Sequence, residues 1–216
     1  GPPYRLGIIP ASPGVFYMVC TIRGKAVHAS MRDELVRAGG GGAAIGVSSI
    51  DKAMIIYEGL RQLEEQWGQT KSHPMFTRPG HFTLHPGVVT GGPNGAFVIS
   101  EESTLHYAIW HSPYDTPEQV KKEVEDQIAR FAATDAWLRE NPPTVQWPLW
   151  WPPYDVDPES PICRTLASCV EETLGEPAKF YGFAAVDDAA FLNRAGIPAV
   201  SIGPGSLTVA HAPNEH

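Results

Sequence analysis

The stretch GPGSLTVAHAPNEH places His211 two residues before a proline and four before the acid Glu215, just after the turn residues Gly203, Pro204 and Gly205. A neutral imidazole is a natural zinc ligand. His211 is therefore either one ligand of a metal site whose other members lie elsewhere, or an ordinary solvated histidine. A bound metal would supply water activated as a nucleophile and a polarised carbonyl. Other positions stand out by their setting alone. Asp188, in VDDAAF, sits where a helix would start and suits an N-cap. Asn94, in GGPN, is a candidate polar contact. His28 follows a strand and Gly24-Lys25, where a lone histidine is commonly a surface donor. Gly203 and Gly205 would let backbone approach a ligand closely, or form a plain turn. His73, His81, His85, His106, His111 and His216 have no spacing that pairs them, and read as surface or packing residues.

The elements that must hold these residues follow from periodicity. GVFYMVCTIR (14–23) is a strand, apolar on both faces, which predicts substantial burial. The AGGGGAAIG loop lacks the Gly-Lys-Ser/Thr ending of a phosphate cradle and the Rossmann spacing, so it reads as a surface loop. Residues 49–67 form a predicted helix, capped by Asp51 or Ser49, with Ala53, Ile56, Leu60, Leu63 and Trp67 as one apolar stripe. HFTLHPGVVTGG, AFVIS and STLHYAIWH are strand candidates. Thr116-Pro117-Glu118 starts a helix, whose inner face carries Val120, Val124, Ile128, Phe131 and Trp137 and which stops before Asn141-Pro142-Pro143. The Pro- and Trp-rich run NPPTVQWPLWWPPYDVDPESP reads as a linker or a return into another domain. A helix over 161–174, a strand over 178–181, a helix over 188–195 and the strand IPAVSIG complete the pattern. The first part is an α+β unit with helices on an antiparallel sheet. The last part alternates helix and strand like an incomplete α/β layer.

Composition narrows the classes. Apolar residues make up 43% and charged residues 19% of 216, as in a globular chain. The formal charge of −8 comes with no basic run, which argues against nucleic acid. No apolar run has the length of a membrane span, and the first residues show no signal peptide. Three cysteines without metal-type spacing, Cys20, Cys163 and Cys169, fit buried thiols and a reducing, cytoplasmic setting. A chain that begins at Gly1 and stops at His216 directly after a motif reads as a piece of a longer protein.

Three segments together, TIRGKAVHAS, HPGVVTGGPN running into the Thr116 helix, and VDDAAFLNRAGIPAVSIGPGSLTVAHAPNE, resemble one family over nearly the whole chain. It is the dinuclear-zinc amidohydrolases that include acetylornithine deacetylase, succinyl-diaminopimelate desuccinylase, aminoacylase and carboxypeptidase G. The resemblance implies a ferredoxin-like lid, an antiparallel sheet with two helices, over residues 14–141. It assigns 142–216 to the later portion of the zinc-binding catalytic domain, whose first portion, with a His-x-Asp ligand motif and a paired-acid general base, has no match here. It implies two zinc ions in the longer parent, with cobalt as an alternative. It also implies a small-molecule amide substrate, an N-acyl amino acid or small peptide, and a homodimer formed through the lid.

Residue by residue, the resemblance makes His211 a zinc ligand and has Glu215 and Asp188 supporting the ligands from behind. Gly203, Gly205 and Asn94 become substrate contacts. His28 becomes a lid histidine that reaches into the partner subunit's site to stabilise an oxyanion. The chain departs from the family at two positions that often bind a substrate carboxylate or the transition state: Ser48 stands where many members carry asparagine, and Trp110 where many carry arginine. The competing reading is a non-catalytic dimerisation or interaction module built on the same fold.

Overall fold

The computed structural model describes residues 6–92 and 95–205, which form two main sheets. The larger sheet is antiparallel. Its strands are β2 (Gly14–Arg23), β4 (Leu84–Gly91), β6 (Glu102–His111) and β7 (Thr144–Trp151), in the order β4-β6-β2-β7. Two long helices, α2 (Ser49–Thr70) and α3 (Pro117–Ala132), pack on one of its faces. A two-stranded ribbon joins β3 (Val27–His28) to β5 (Val98–Ile99), and a short helix, α1 (Arg32–Val36), lies between β3 and α2.

β2 alternates because helices cover only one side of the sheet. Phe16, Met18, Cys20 and Ile22 are buried in the core, while Val15, Tyr17, Val19 and Thr21 stand on an open face. The expected burial of both faces is therefore corrected: Tyr17 is 38% exposed. Along β6, Leu105, Tyr107 and Ile109 point to the same core.

α2 buries the predicted stripe of Ala53, Ile56, Leu60, Leu63 and Trp67. Its cap is Ser48, whose side chain accepts the Asp51 N–H, and not Asp51 or Ser49. Gly59 lies where α2 meets α3: a Cβ there would stand 2.6 Å from the Phe131 ring, so the close approach requires glycine. α3 opens with a reciprocal capping box between Thr116 and Gln119. It ends earlier than expected. Asp135 accepts the N–H groups of Trp137 and Leu138 and starts a separate short helix, α4 (Ala136–Glu140), so Trp137 belongs to a second helix. A largely buried Lys52–Asp135 ion pair at 2.6 Å fixes that restart to α2.

The stretch read as a linker contains β7. Pro148 is tolerated because β7 is an edge strand paired only with β2, and the register shifts between Tyr17 and Val19 opposite it. Trp147 and Trp150 pack on Phe16 at ring-centre distances of 5.1 Å and 6.0 Å.

The smaller sheet has β1 (Ile8–Ser12) at its centre, paired antiparallel with β8 (Tyr154–Asp155) and β10 (Ser201–Ile202) and parallel with β9 (Phe180–Gly182). α5 (Pro161–Leu174) and α6 (Ala189–Arg194) belong to this part. Every residue of β1 is buried. The sequence pattern missed this strand because it is short and holds Pro10, which donates nothing to the ladder; its carbonyl accepts the Val156 N–H at 2.8 Å. α5 ends at Gly175, in the left-handed conformation that glycine adopts without strain. The larger sheet thus takes its last strand from beyond residue 142, and the smaller sheet takes its central strand from before residue 14.

Candidate functional site

The candidate residues fall on two different parts of the molecule. His28 lies on β3, opposite Val98, and is exposed. Its Nδ1 accepts the Ser30 backbone N–H at 3.2 Å and lies 2.8 Å from the Ser30 hydroxyl. With Nδ1 an acceptor, the neutral ring carries its proton on Nε2. Nε2 has no hydrogen-bond partner among the described residues. The arrangement is a fixed ring offering one N–H outward, the chemistry of an oxyanion donor.

The ribbon that carries His28 borders a cleft of about 480 Å³ whose lining includes Thr90, Gly92, Val98, Ser100 and Thr104. Under it, the hydroxyl of Ser49 lies 2.8 Å from those of both Ser100 and Ser103. These buried hydroxyls satisfy one another and tie the start of α2 to β6. Asn94 lies outside the described residues, as do His211 and Glu215.

The other described candidates sit at the smaller sheet. Gly203 is buried beyond β10, and its carbonyl accepts the Leu6 N–H at 2.9 Å. Gly205 has φ +85°, a conformation that favours glycine. Asp188 occupies the position before α6 but makes no side-chain capping bond there and is exposed. Its neighbour Asp187 takes the capping role: Oδ1 accepts the Ala189 N–H at 2.9 Å, and Oδ2 accepts the Tyr154 hydroxyl at 3.2 Å. The Asp187 carbonyl also accepts the Trp151 indole N–H at 3.0 Å. Burial holds the Asp187 carboxyl above the usual carboxylate range, against the lowering effect of its bonds to Ser201, Ala189 and Tyr154. Asp187 and Tyr154 were not singled out in the sequence. The doubled Asp187-Asp188 was the available signal, but an N-cap rule cannot tell which of two adjacent acids turns inward.

The structure does not bring His28 into contact with Asp188, Gly203 or Gly205. Among the described residues, no three His, Cys, Asp or Glu side chains converge on a point that could hold a metal ion. Cys20 is not a nucleophile: burial pushes its thiol up to about 12. No helix of the described residues is long and apolar enough to cross a membrane.

A family model described as a peptidase dimerisation domain matches residues 11–136. The chain belongs to the M20 family of metallopeptidases and amidohydrolases. This M20 chain is similar to two curated relatives, both N-formyl-4-amino-5-aminomethyl-2-methylpyrimidine deformylases. The identity is 35% to the protein of Halalkalibacterium halodurans and 36% to that of Bacillus subtilis, in each case over 197 residues. The match covers 87% of this chain and 45% of each relative, so the chain spans less than half the length of those proteins. Among solved structures, the M20 fold is shared with a tripeptidase from Staphylococcus aureus at a TM-score of 0.67 and 19% identity, covering 94% of this chain and 46% of that one. It is shared also with a metallo-carboxypeptidase from Sulfolobus solfataricus at a TM-score of 0.63 and 16% identity, covering 98% of this chain and 55% of that one.

Proposed function

We propose that the full-length protein carrying this chain is a metal-dependent amide hydrolase, and that this chain supplies its lid and the later part of its catalytic domain. The observation that carries the reading is the identity to two deformylases along nearly the whole of this chain. The substrate classes are a formylated aminopyrimidine, as the relatives' names state, or an N-acyl amino acid or small peptide. Ser48 and Trp110, standing where the resemblance expects asparagine and arginine, support the first, because a neutral pyrimidine brings no carboxylate to bind. His211 is our candidate metal ligand, with Glu215 and Asp188 behind it. Asn94, Gly203 and Gly205 are candidate substrate contacts. Two zinc ions, or cobalt, would supply an activated water and a polarised carbonyl when bound. His28, with its outward Nε2–H, is the candidate oxyanion donor, acting on the partner's site.

The lid reading, including its ferredoxin-like character, is supported by the larger sheet, which draws its last strand, β7, from beyond the proposed division near 141–142. Its elements run strand, helix, strand, strand, helix, strand in the order β4-β6-β2-β7. Homodimerisation is proposed at β4. Both edge strands hold a proline and a register shift, Pro86 in β4 and Pro148 in β7, but β7 is lined with tryptophans and β4 shows the valine pair Val88 and Val89, each 50% exposed, on its unpaired edge. Three free cysteines, one of them exposed, fit the cytoplasm.

The test is release of formate or acyl acid by the purified full-length protein. It should hydrolyse the formylated aminopyrimidine, lose turnover on chelation and regain it with zinc or cobalt. The 216-residue chain alone should be inactive. Hydrolysis of none of these amides by the metal-loaded full-length protein would refute the reading.

A further inference from the structure

The two sheets are joined by a ribbon of two strands crossing side by side. β1 runs into β2 through Pro13, and β7 runs into β8 through Pro152 and Pro153. The crossings stay paired on both sides: Val15 opposes Trp151 in the larger sheet, and Ser12 opposes Tyr154 in the smaller. Proline fixes φ at three points of this crossing. His111, the last residue of β6, lies against it. It opposes Gly14 in register and is fully buried. A Cβ on Gly14 would stand 2.2 Å from His111 Nε2 and 2.9 Å from Pro153 Cδ, so the imidazole occupies the space a side chain at the crossing would need.

The ring's two bonds define its state. Nε2 accepts the Trp150 indole N–H at 3.2 Å, and Nδ1 donates to the Ser112 carbonyl at 3.1 Å. Indole only donates and a carbonyl only accepts, so this geometry requires a neutral imidazole protonated on Nδ1. Trp150 in turn lies beneath the Arg194 guanidinium, 4.9 Å from a ring centre, and Arg194 is in the last turn of α6. A line of contact therefore runs from β6 through His111 and Trp150 to a helix of the smaller sheet.

The charges facing His111 are these. Asp115 follows β6 and Lys71 follows α2, and they pair with each other at 2.8 Å; Lys71 also pairs with Glu123 of α3. From α3, Lys121 lies over Phe16, the ring that packs on His111. Arg194 stands beyond Trp150. Asp115 favours a charged ring and Lys71 opposes it, but burial is the largest influence and holds His111 below the usual histidine range.

We propose that His111 is a pH-sensitive pin at this crossing. Neutral, it holds Trp150 under Arg194 and fixes the angle between the two sheets. Protonated, it turns an N–H toward the indole N–H, releases Trp150 and frees that angle.

The experiment places spin labels on α3 and α5 of the full-length protein, at Lys122→Cys and Glu172→Cys, with the exposed Cys169 changed to serine. Labelled protomers are diluted into unlabelled ones, and label distances are read by double electron–electron resonance at about pH 8 and at the lowest pH at which circular dichroism still shows the native fold, because burial holds His111 below the ordinary histidine range. The expected result is one narrow distance at the higher pH that broadens at the lower. His111→Gln, whose side-chain oxygen can accept from Trp150 without titrating, should stay narrow at both. Trp150→Phe, which removes the donor, should be broad at both. An unchanged wild-type distribution, a His111→Gln protein that still broadens in acid, or a narrow Trp150→Phe distribution at both pH values would each overturn the proposal.

Discussion

The larger and smaller sheets are built to different standards of completeness. The larger has strands of eight to ten residues, two amphipathic helices on one face and a continuous core that runs from Phe16 through Trp67 and Leu105 to Leu138. The smaller has strands of two to five residues around β1 and a modest cluster of Ile9, Tyr154, Val156, Cys163 and Phe183. On its surface Phe191, Leu192 and Ile197 are 44–55% exposed. A unit that closes its own core can be read and tested by itself. Exposed apolar side chains do not separate the two units, since Val88 and Val89 of the larger are each 50% exposed; what separates them is the short strands and modest buried cluster of the smaller.

The contrast can be broken by mutation of the full-length protein. In the larger sheet, Leu60→Ala should cost about 2–5 kcal/mol in urea denaturation, because the site is fully buried between α2 and the sheet. If Ile197 stays exposed in the full-length protein, Ile197→Ala should cost no more than about 0.5 kcal/mol; a cost near that of Leu60→Ala would show that the rest of the protein covers it. At the edges, a Val88→Lys, Val89→Lys double variant should shift the sedimentation equilibrium toward monomer, while Gln146→Lys on β7 should leave it unchanged. Equal effects would remove the distinction between the two edges. At α6, Asp187→Asn should destabilise by about 1 kcal/mol, and Asp188→Asn should have almost no effect. Smallest is the pH term of His111. A folded-state pKa below the unfolded value means that the unfolded chain binds more protons in acid. Stability should therefore fall as pH drops below about 6.5, the unperturbed value, and His111→Gln should flatten that slope in thermal melts.

Much of the larger unit was legible because its signals are periodic. The buried side of β6, the stripe on α2 and the Thr116 start of α3 each follow from spacing and capping that the sequence displays directly, whereas β2, apolar on both faces in sequence, does not reveal that one face stays open. What escaped depends on partners distant in the chain. β1 and β7 both contain proline and read as non-strand until one sees that Pro10 and Pro148 sit where no ladder donor is needed. The restart at Asp135 depends on Lys52, 83 residues away. At the candidate site, motif resemblance picked out Asp188, but packing against Tyr154 and Trp151 selected Asp187. His28 could be placed after a strand, yet the acceptor role of its Nδ1 is set by Ser30 and was invisible to motif matching. His111 was read as a packing residue, and its pairing with Trp150 lies across two strands that the sequence cannot align.

The most direct test of the whole account asks whether His28 and His211 serve one site across two subunits. Full-length His28→Ala and His211→Ala proteins are prepared separately, each expected to be inactive, then mixed, dissociated and reassociated. If the lid histidine acts on the partner, half of the random dimers are mixed, and each mixed dimer holds one intact site. Activity should then return to about a quarter of the wild-type rate. If the reassociated mixture stays as inactive as its parents, the two histidines do not meet across a dimer, and the account is wrong.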